Sequence, residues 1–416
     1  MRRVVRFAWL AVVAAVALFV VGCGSSDSDD GGDETAAVGG KPAVNVGVVG
    51  LFSGAPGAPE ATPEVLGAWA RTVNARGGLN GHEVRLIVRD VGMRTGAGRA
   101  AVEELIEDDR VVAIVSQDPN DSTWVKYAES RSVPVMTATA AASAFASPNV
   151  FPITVSPITL GYAFADELKL LGDSSAIGYA SETALNAQIV DLVRMFARPV
   201  GLSLPVMAKL SSSLPDYTAL CEQIKGSGAS SYFLSFGAPV VTKITEQCTA
   251  QGVELPQLLV GTFMDQSWRA NAAFDGSVVV DGIAPFFDTA IPGVKDYRDA
   301  IEEHAADLSG SAQDNSFSLM AWAAAQMVAA GAERVRGELT GPALQDALFT
   351  IRDETLGGLI PPATYRAGET HPVRCWFTWS VADGDFVAGD DGAEPRCAPD
   401  GALEAAEAGL TRSLGG

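Results

Sequence analysis

Histidine is nearly absent from this chain, with three in 416 residues. That scarcity, together with the lack of any CxxC pair, removes the ordinary spacings of a metal site. No serine sits in a GxSxG elbow, and no cysteine has a histidine-rich partner set, so neither a hydrolase triad nor a cysteine nucleophile has a frame. Positive charge is scarce too: 29 Lys and Arg face 50 Asp and Glu, for a formal net charge of -21. Such a chain does not seek nucleic acid and is repelled by anionic lipid. Beyond the first two dozen residues no apolar run is long enough to cross a bilayer. The absences point away from an enzyme, with no cofactor and no metal expected. His82 reads as a solvated turn residue in NGHEV, His304 as part of an exposed helix, and His371 as a loop residue before Pro372. Gly96 to Ala101 fits GxGxxA, but it follows a later strand rather than the first. It reads as glycines at a helix start rather than as a dinucleotide site.

What is present begins at the N-terminus. Arg2, Arg3 and Arg6 precede an unbroken apolar stretch over 7–21, closed by Gly22-Cys23. This is the pattern of a secretory signal over 1–22, too short for a comfortable span. Val20-Val21-Gly22-Cys23 resembles a bacterial lipobox, which implies that Cys23 is lipidated and becomes the mature N-terminus. Residues 23–42 then form an acidic, Gly- and Ser-rich tether with too little apolar surface to fold. Together these predict an extracytoplasmic body anchored to the cell membrane by lipid.

From Ala43 onward short apolar runs alternate with helical stretches. Strands are expected at 44–49, 84–88, 111–115 and 133–137, with helices at 61–76, 97–108 and 122–131 between them. A second set follows Pro152: strands at 175–179, 203–208, 231–236 and 258–260, helices at 159–171, 184–198, 215–226 and 239–251. This alternation demands parallel sheets covered on both faces. The tail adds helices at 293–306, 316–331 and 341–351, then a strand at 376–381 turning at Asp383-Gly384. Two β-α halves with a returning tail mean that the chain crosses between lobes more than once. Four cysteines besides Cys23 suggest two disulfides outside the cytoplasm. Three pairings are possible, and proximity favours Cys221–Cys248 and Cys375–Cys397.

Several stretches together, VNVGVVGLFSG (44–54), NARGGLNGHEVRLIVRD (74–90), AVEELIEDDRVVAIVS (101–116), VPVMTATAAAS (133–143), NVFPITVSP (149–157) and FSLMAWAAAQMVAAGAE (317–333), resemble the type I periplasmic substrate-binding proteins of ABC importers, specifically the Leu/Ile/Val-type group. The closing segment, 356–387, resembles that group's last strand region. The resemblance implies an α/β fold of two doubly wound, Rossmann-like lobes joined by a multi-stranded hinge. It gives 43–156 with 288–350 as the first lobe and 157–287 with 351–416 as the second. It implies a monomer that captures an amino acid or related small organic acid or amide and delivers it to the permease. A lipid-anchored sensor reporting to a membrane receptor would use the same fold.

The resemblance places ligand contacts at Ser53, in the loop of Gln117, Asp118, Asn120, Asp121 and Ser122, and at Thr137 and Thr139. In that loop a helix starting near Ser122 would offer free N–H groups, and Asp121 or Ser122 would cap it. The group's ligand-binding threonine falls at Ala141, with Thr139 as its substitute. In the second lobe the group's cleft tyrosine falls near Ala184, and its amine-holding acid falls at Phe263, with Asp265 two residues on. A buried ammonium without a carboxylate costs several kcal/mol, so Phe263 favours a ligand with an apolar or aromatic part. Trp124, Tyr162, Phe263 and Phe286 are the aromatic candidates for its pocket.

Overall fold

Valines dominate the first strand, β1 (Lys41–Gly50), because it lies in the middle of a sheet with both faces covered. The computed structural model describes residues 40–54, 58–94, 96–182, 184–389 and 394–414; the signal sequence, Cys23 and most of the tether lie outside them. After β1 come α1 (Thr62–Ala75), β2 (His82–Asp90), α2 (Ala97–Glu107), β3 (Ala113–Gln117), α3 (Val125–Ser130), β4 (Val135–Thr137) and β5 (Val150–Pro152). These five strands form one sheet in the order β2-β1-β3-β4-β5, every pair parallel. One face of α1 is buried through Val65, Leu66 and Trp69. Gly77-Gly78 follow the helix end, and a Cβ on Gly78 would stand 2.0 Å from the His82 carbonyl oxygen. His82 itself is buried, with Nδ1 2.7 Å from the Pro42 carbonyl oxygen, so it is a strand residue and not a solvated loop histidine.

Next come α4 (Pro157–Leu171), β6 (Ser174–Ala180), α5 (Ala184–Val200), β7 (Ser203–Leu210), α6 (Thr218–Gly226), β8 (Ser231–Ser235), α7 (Ala238–Ala250), β9 (Gln257–Val260) and β10 (Ser277–Asp281). The chain then supplies α8 (Pro292–His304), α9 (Ser316–Ala332) and α10 (Gly341–Leu348), with α8 and α9 packing on α1, α9 also on β3 and β4, and α10 on α9. It finishes with β11 (Cys375–Ala382), β12 (Asp385–Ala388), β13 (Arg396–Cys397) and α11 (Glu404–Leu414). The second sheet runs β12-β11-β10-β9-β8-β6-β7, with β13 paired to β11. Its β6–β10 pairs are parallel, and β11 joins antiparallel. The helix α9 is small and apolar and buried on almost every side, as its composition predicts.

Two disulfides join Cys221 to Cys248 and Cys375 to Cys397. The first links α6 to α7, and the second closes a register pair between β11 and β13.

Three crossings connect the lobes, and they touch one another. Val155 bridges Val373 in parallel, and Ala284 N–H donates to the Leu359 carbonyl at 3.0 Å. Tyr365 Oη donates to the Pro152 carbonyl at 3.1 Å. The first and second crossings meet at Gly282, where a Cβ would lie 2.0 Å from Thr154 Oγ1.

Candidate functional site

The C-terminal ends of β3, β4 and β5 face those of β9 and β10 beside this hinge, the place where open α/β sheets bind ligands. A cavity of about 200 Å³ lies there. From the first lobe come Pro119, the turn Thr139–Ala142, and Phe317 and Met320 of α9. From the second come Leu160 and Gly161 of α4, Gln188, Ile189 and Leu192 of α5, Val260 at the end of β9, and Thr262 and Phe263 after it. Thr154, Val155, Val280, Asp281 and Gly282 line it at the hinge. Most of this surface is apolar, and Phe263 meets Phe317 across the lobes with ring centroids 6.5 Å apart. Among the described lining residues Asp281 alone is ionisable.

Of the residues singled out from sequence, Thr139 and Phe263 line the cavity. Ala141, where the group carries its threonine, lines it too, and the remaining candidates lie elsewhere. Ser53 is exposed and donates to Asp90 at 2.5 Å. Gln117 belongs to β3, which runs two residues past the predicted strand end. It is buried, accepting from Thr62 Oγ1 at 2.5 Å and donating to the Phe317 carbonyl at 2.9 Å. Asp118 accepts from the Trp124 indole at 2.8 Å and from Asn120 N–H at 2.9 Å. Asn120 is exposed, and Ser122 is half-buried in a 3-10 turn, Asp121–Thr123.

The helix expected over 122–131 is shorter. It begins at Val125, and Asp121 caps nothing because its carboxylate turns inward. There Asp121 Oδ2 accepts from Thr137 at 3.0 Å and Ser143 at 2.9 Å. Burial pushes the Asp121 carboxyl up to about 7 against the pull of those two hydroxyls.

These bonds brace the loops of the first lobe. The brace also explains the GxGxxA pattern: a Cβ on Gly98 would lie 2.5 Å from Asp118 Oδ2 and 3.1 Å from the Trp124 ring. The glycine lets α2 approach that pair. Tyr162 is buried against Phe196 and Trp376, on the far side of α4 from the cavity, and Trp124 and Phe286 are core residues. Asp265 accepts from Ser267 N–H at 2.8 Å and caps its own turn.

Thr154 and Asp281 went unremarked in the sequence. An acid immediately after a buried Val-Val-Val run, at the ligand end of a strand, was the available signal. The strands expected from sequence end at 260, so β10 (Ser277–Asp281) is an element that the structure adds.

A model of the periplasmic binding protein family matches residues 43–385. No curated protein matches the chain significantly. Among solved structures, the branched-chain amino acid transporter substrate binding protein of Streptococcus pneumoniae, in complex with isoleucine, has a TM-score of 0.67 at 15% identity. It covers 86% of this chain and 100% of that one. A solute binding protein of an R. palustris ABC transporter, in complex with benzoate, gives 0.67 at 18% identity, over 87% of this chain and 99% of that one. A possible leucine/isoleucine/valine-binding protein of Rhodopirellula baltica gives 0.68 at 16% identity, over 86% and 98%. At these identities the likeness is one of fold, and the fold is the two-lobed one derived above.

Proposed function

The chain belongs to the periplasmic binding protein family, and on that premise we propose that it is the solute-binding lipoprotein of an ABC importer. It captures one small molecule, an amino acid or a related small organic acid or amide, between its lobes and hands it to the permease. Removal of residues 1–22 and lipidation of Cys23 hold it at the outer face of the cell membrane. The lobes, 43–156 with 288–350 and 157–287 with 351–416, close about the three crossings as monomeric halves of one clamp.

The observation that carries this reading is the cavity itself. It takes walls from both lobes, it sits at the carboxyl ends of both sheets, and it abuts the hinge. Closure would bury a ligand there and exclude water. Thr139 and Phe263 are the contacts assigned from sequence that lie at the cavity. Phe263 stands where the resembling group carries its amine-holding acid, and Asp265 is spent on its own turn. The neighbours solved with isoleucine and with benzoate share this fold, in keeping with a ligand of that size.

Calorimetric titration of the full chain with amino acids, amides and aromatic acids tests the reading. One ligand should bind per chain and be recovered chemically unchanged. Phe263→Ala should weaken it by about tenfold, as loss of a buried apolar contact does, and Thr139→Ala by less. Unchanged affinity in both variants would remove the cavity from the account. Cys23→Ser should move the protein out of the membrane fraction.

A further inference from the structure

The floor of the cavity holds two polar groups that the protein itself leaves unsatisfied. Thr154 is 2% exposed and Asp281 1% exposed, and both line the cavity. Thr154 Oγ1 and Asp281 Oδ1 are buried with no hydrogen-bond partner. The other carboxylate oxygen, Oδ2, accepts the hydroxyl of Ser316 at the start of α9, so Asp281 already bridges from the second sheet to a helix of the first lobe. The Trp379 indole and the N–H groups of Gly282 and Ile283 lie near enough to favour the ionised form, yet none closes a bond of normal geometry to Oδ1. Burial works against them and pushes the carboxyl up to about 7.

Two glycines make room for this floor. A Cβ on Gly261 would lie 2.0 Å from Asp281 Oδ2, and one on Gly282 would lie 2.0 Å from Thr154 Oγ1. Asp121 is also deeply buried with an unpartnered oxygen, but it does not line the cavity. A buried acceptor left open costs free energy that a bound donor recovers. No described cation lines the cavity to hold an anion in its place.

Resting on the binding-protein reading above, we infer that Asp281, with Thr154 beside it, receives the polar end of the ligand, and that this end is a nitrogen donor. The ligand is therefore a small amine or carboxamide with an apolar body, the body lying against Phe263, Leu192 and Phe317. The acid comes from the end of β10, whereas Phe263 lies in the turn that follows β9. The recognition chemistry selects N–H donors over carboxylates attached to the same apolar body.

The test is a matched set of probes on the full chain: benzylamine, benzamide and benzoate, with affinities from calorimetry. Benzylamine or benzamide should bind more tightly than benzoate. Asp281→Asn should weaken benzylamine by roughly 30-fold or more, as expected when a buried charged partner is removed, while the far-UV circular dichroism stays unchanged. Should Asp281→Asn unfold, Thr154→Val provides the second arm and should weaken both donors several-fold while leaving benzoate where it was.

Benzoate binding as tightly as benzylamine, or donors binding the variants as they bind the parent, overturns the assignment of Asp281. In either case the cavity reading survives so long as binding still depends on Phe263. If no probe and no amino acid binds at all, both fail together.

Discussion

The two lobes share a plan and differ in how they are held. The first is a wholly parallel five-stranded sheet whose described residues include no disulfide. Its loop residues bond to one another: Asp118 to Trp124, Asp121 to Thr137 and Ser143, Gln117 to Thr62. The second has a mixed sheet, both disulfides, and the ionic cluster of Arg396 with Asp166 and Glu167. The first lobe is therefore stiffened by polar networks close to the cleft. The second is stiffened by covalent and ionic ties away from it, and it presents apolar side chains to the cavity. The lesson concerns polar residues in a binding loop. Many of them fix the loop's shape, and ligand chemistry is left to the few groups that remain open, here at the hinge.

The largest expected effect separates the lobes by their covalent ties. Replacing Cys221 and Cys248 together by Ala, both fully buried, should cost about 2–5 kcal/mol, read as a fall in the urea midpoint. A loss near zero would mean that the α6–α7 packing alone holds that edge. Next, Asp118→Ala strands the buried Trp124 indole N–H in the first lobe. That should cost about 1–3 kcal/mol, with quenching of Trp124 fluorescence altered in the folded state.

A pH series sharpens the comparison further. The carboxyls of Asp121 and Asp281 are both raised by burial to about 7. Each contributes stability that is fully present below its unfolded pKa near 4 and is lost as pH rises through about 7. His371, packed at the hinge between Phe151, Phe349 and Tyr365, runs the other way. Burial pushes its imidazole down to about 4. Its share is present above the ordinary histidine value of about 6.5 and is lost as pH falls through about 4. Asp121→Asn should accordingly flatten the fall in melting temperature between about pH 4 and about pH 7, by removing the first lobe's share. A slope equal to the parent's would refute the burial of an ionisable Asp121. The smallest effect is expected at the exposed Arg99–Glu103 pair, where Glu103→Gln should change stability by less than about 0.5 kcal/mol.

The fold was largely legible in the sequence. Valine runs separated by amphipathic stretches announced both sheets, and α9 announced itself through its small apolar composition. β4 and β9 were legible although short, but β10 and α11 were not. β10 has three apolar residues between Ser277 and Asp281, and α11 lies in an Ala- and Glu-rich tail with weak periodicity.

The candidate site was legible only in its apolar part. Phe263 and Thr139 stood out by position, and both reach the cavity. The polar loop residues carried the right chemistry, but a linear sequence does not reveal that Asp118 and Asp121 find their partners inside the lobe. Asp281 and Thr154 become a pair only when two crossings meet at Gly282.

The most direct test of the central claim, that the hinge-side cavity is the ligand site, is a melting screen of the full chain against amino acids, amides, aromatic acids, polyols and nucleosides. It is run in parallel on Leu192→Trp, which fills the cavity from its α5 wall. A ligand at about 100 times its Kd stabilises the parent by about 2.7 kcal/mol. At least one class should raise the parent's melting temperature and leave that of Leu192→Trp unmoved. A shift of equal size in both proteins would place the ligand elsewhere and contradict the account.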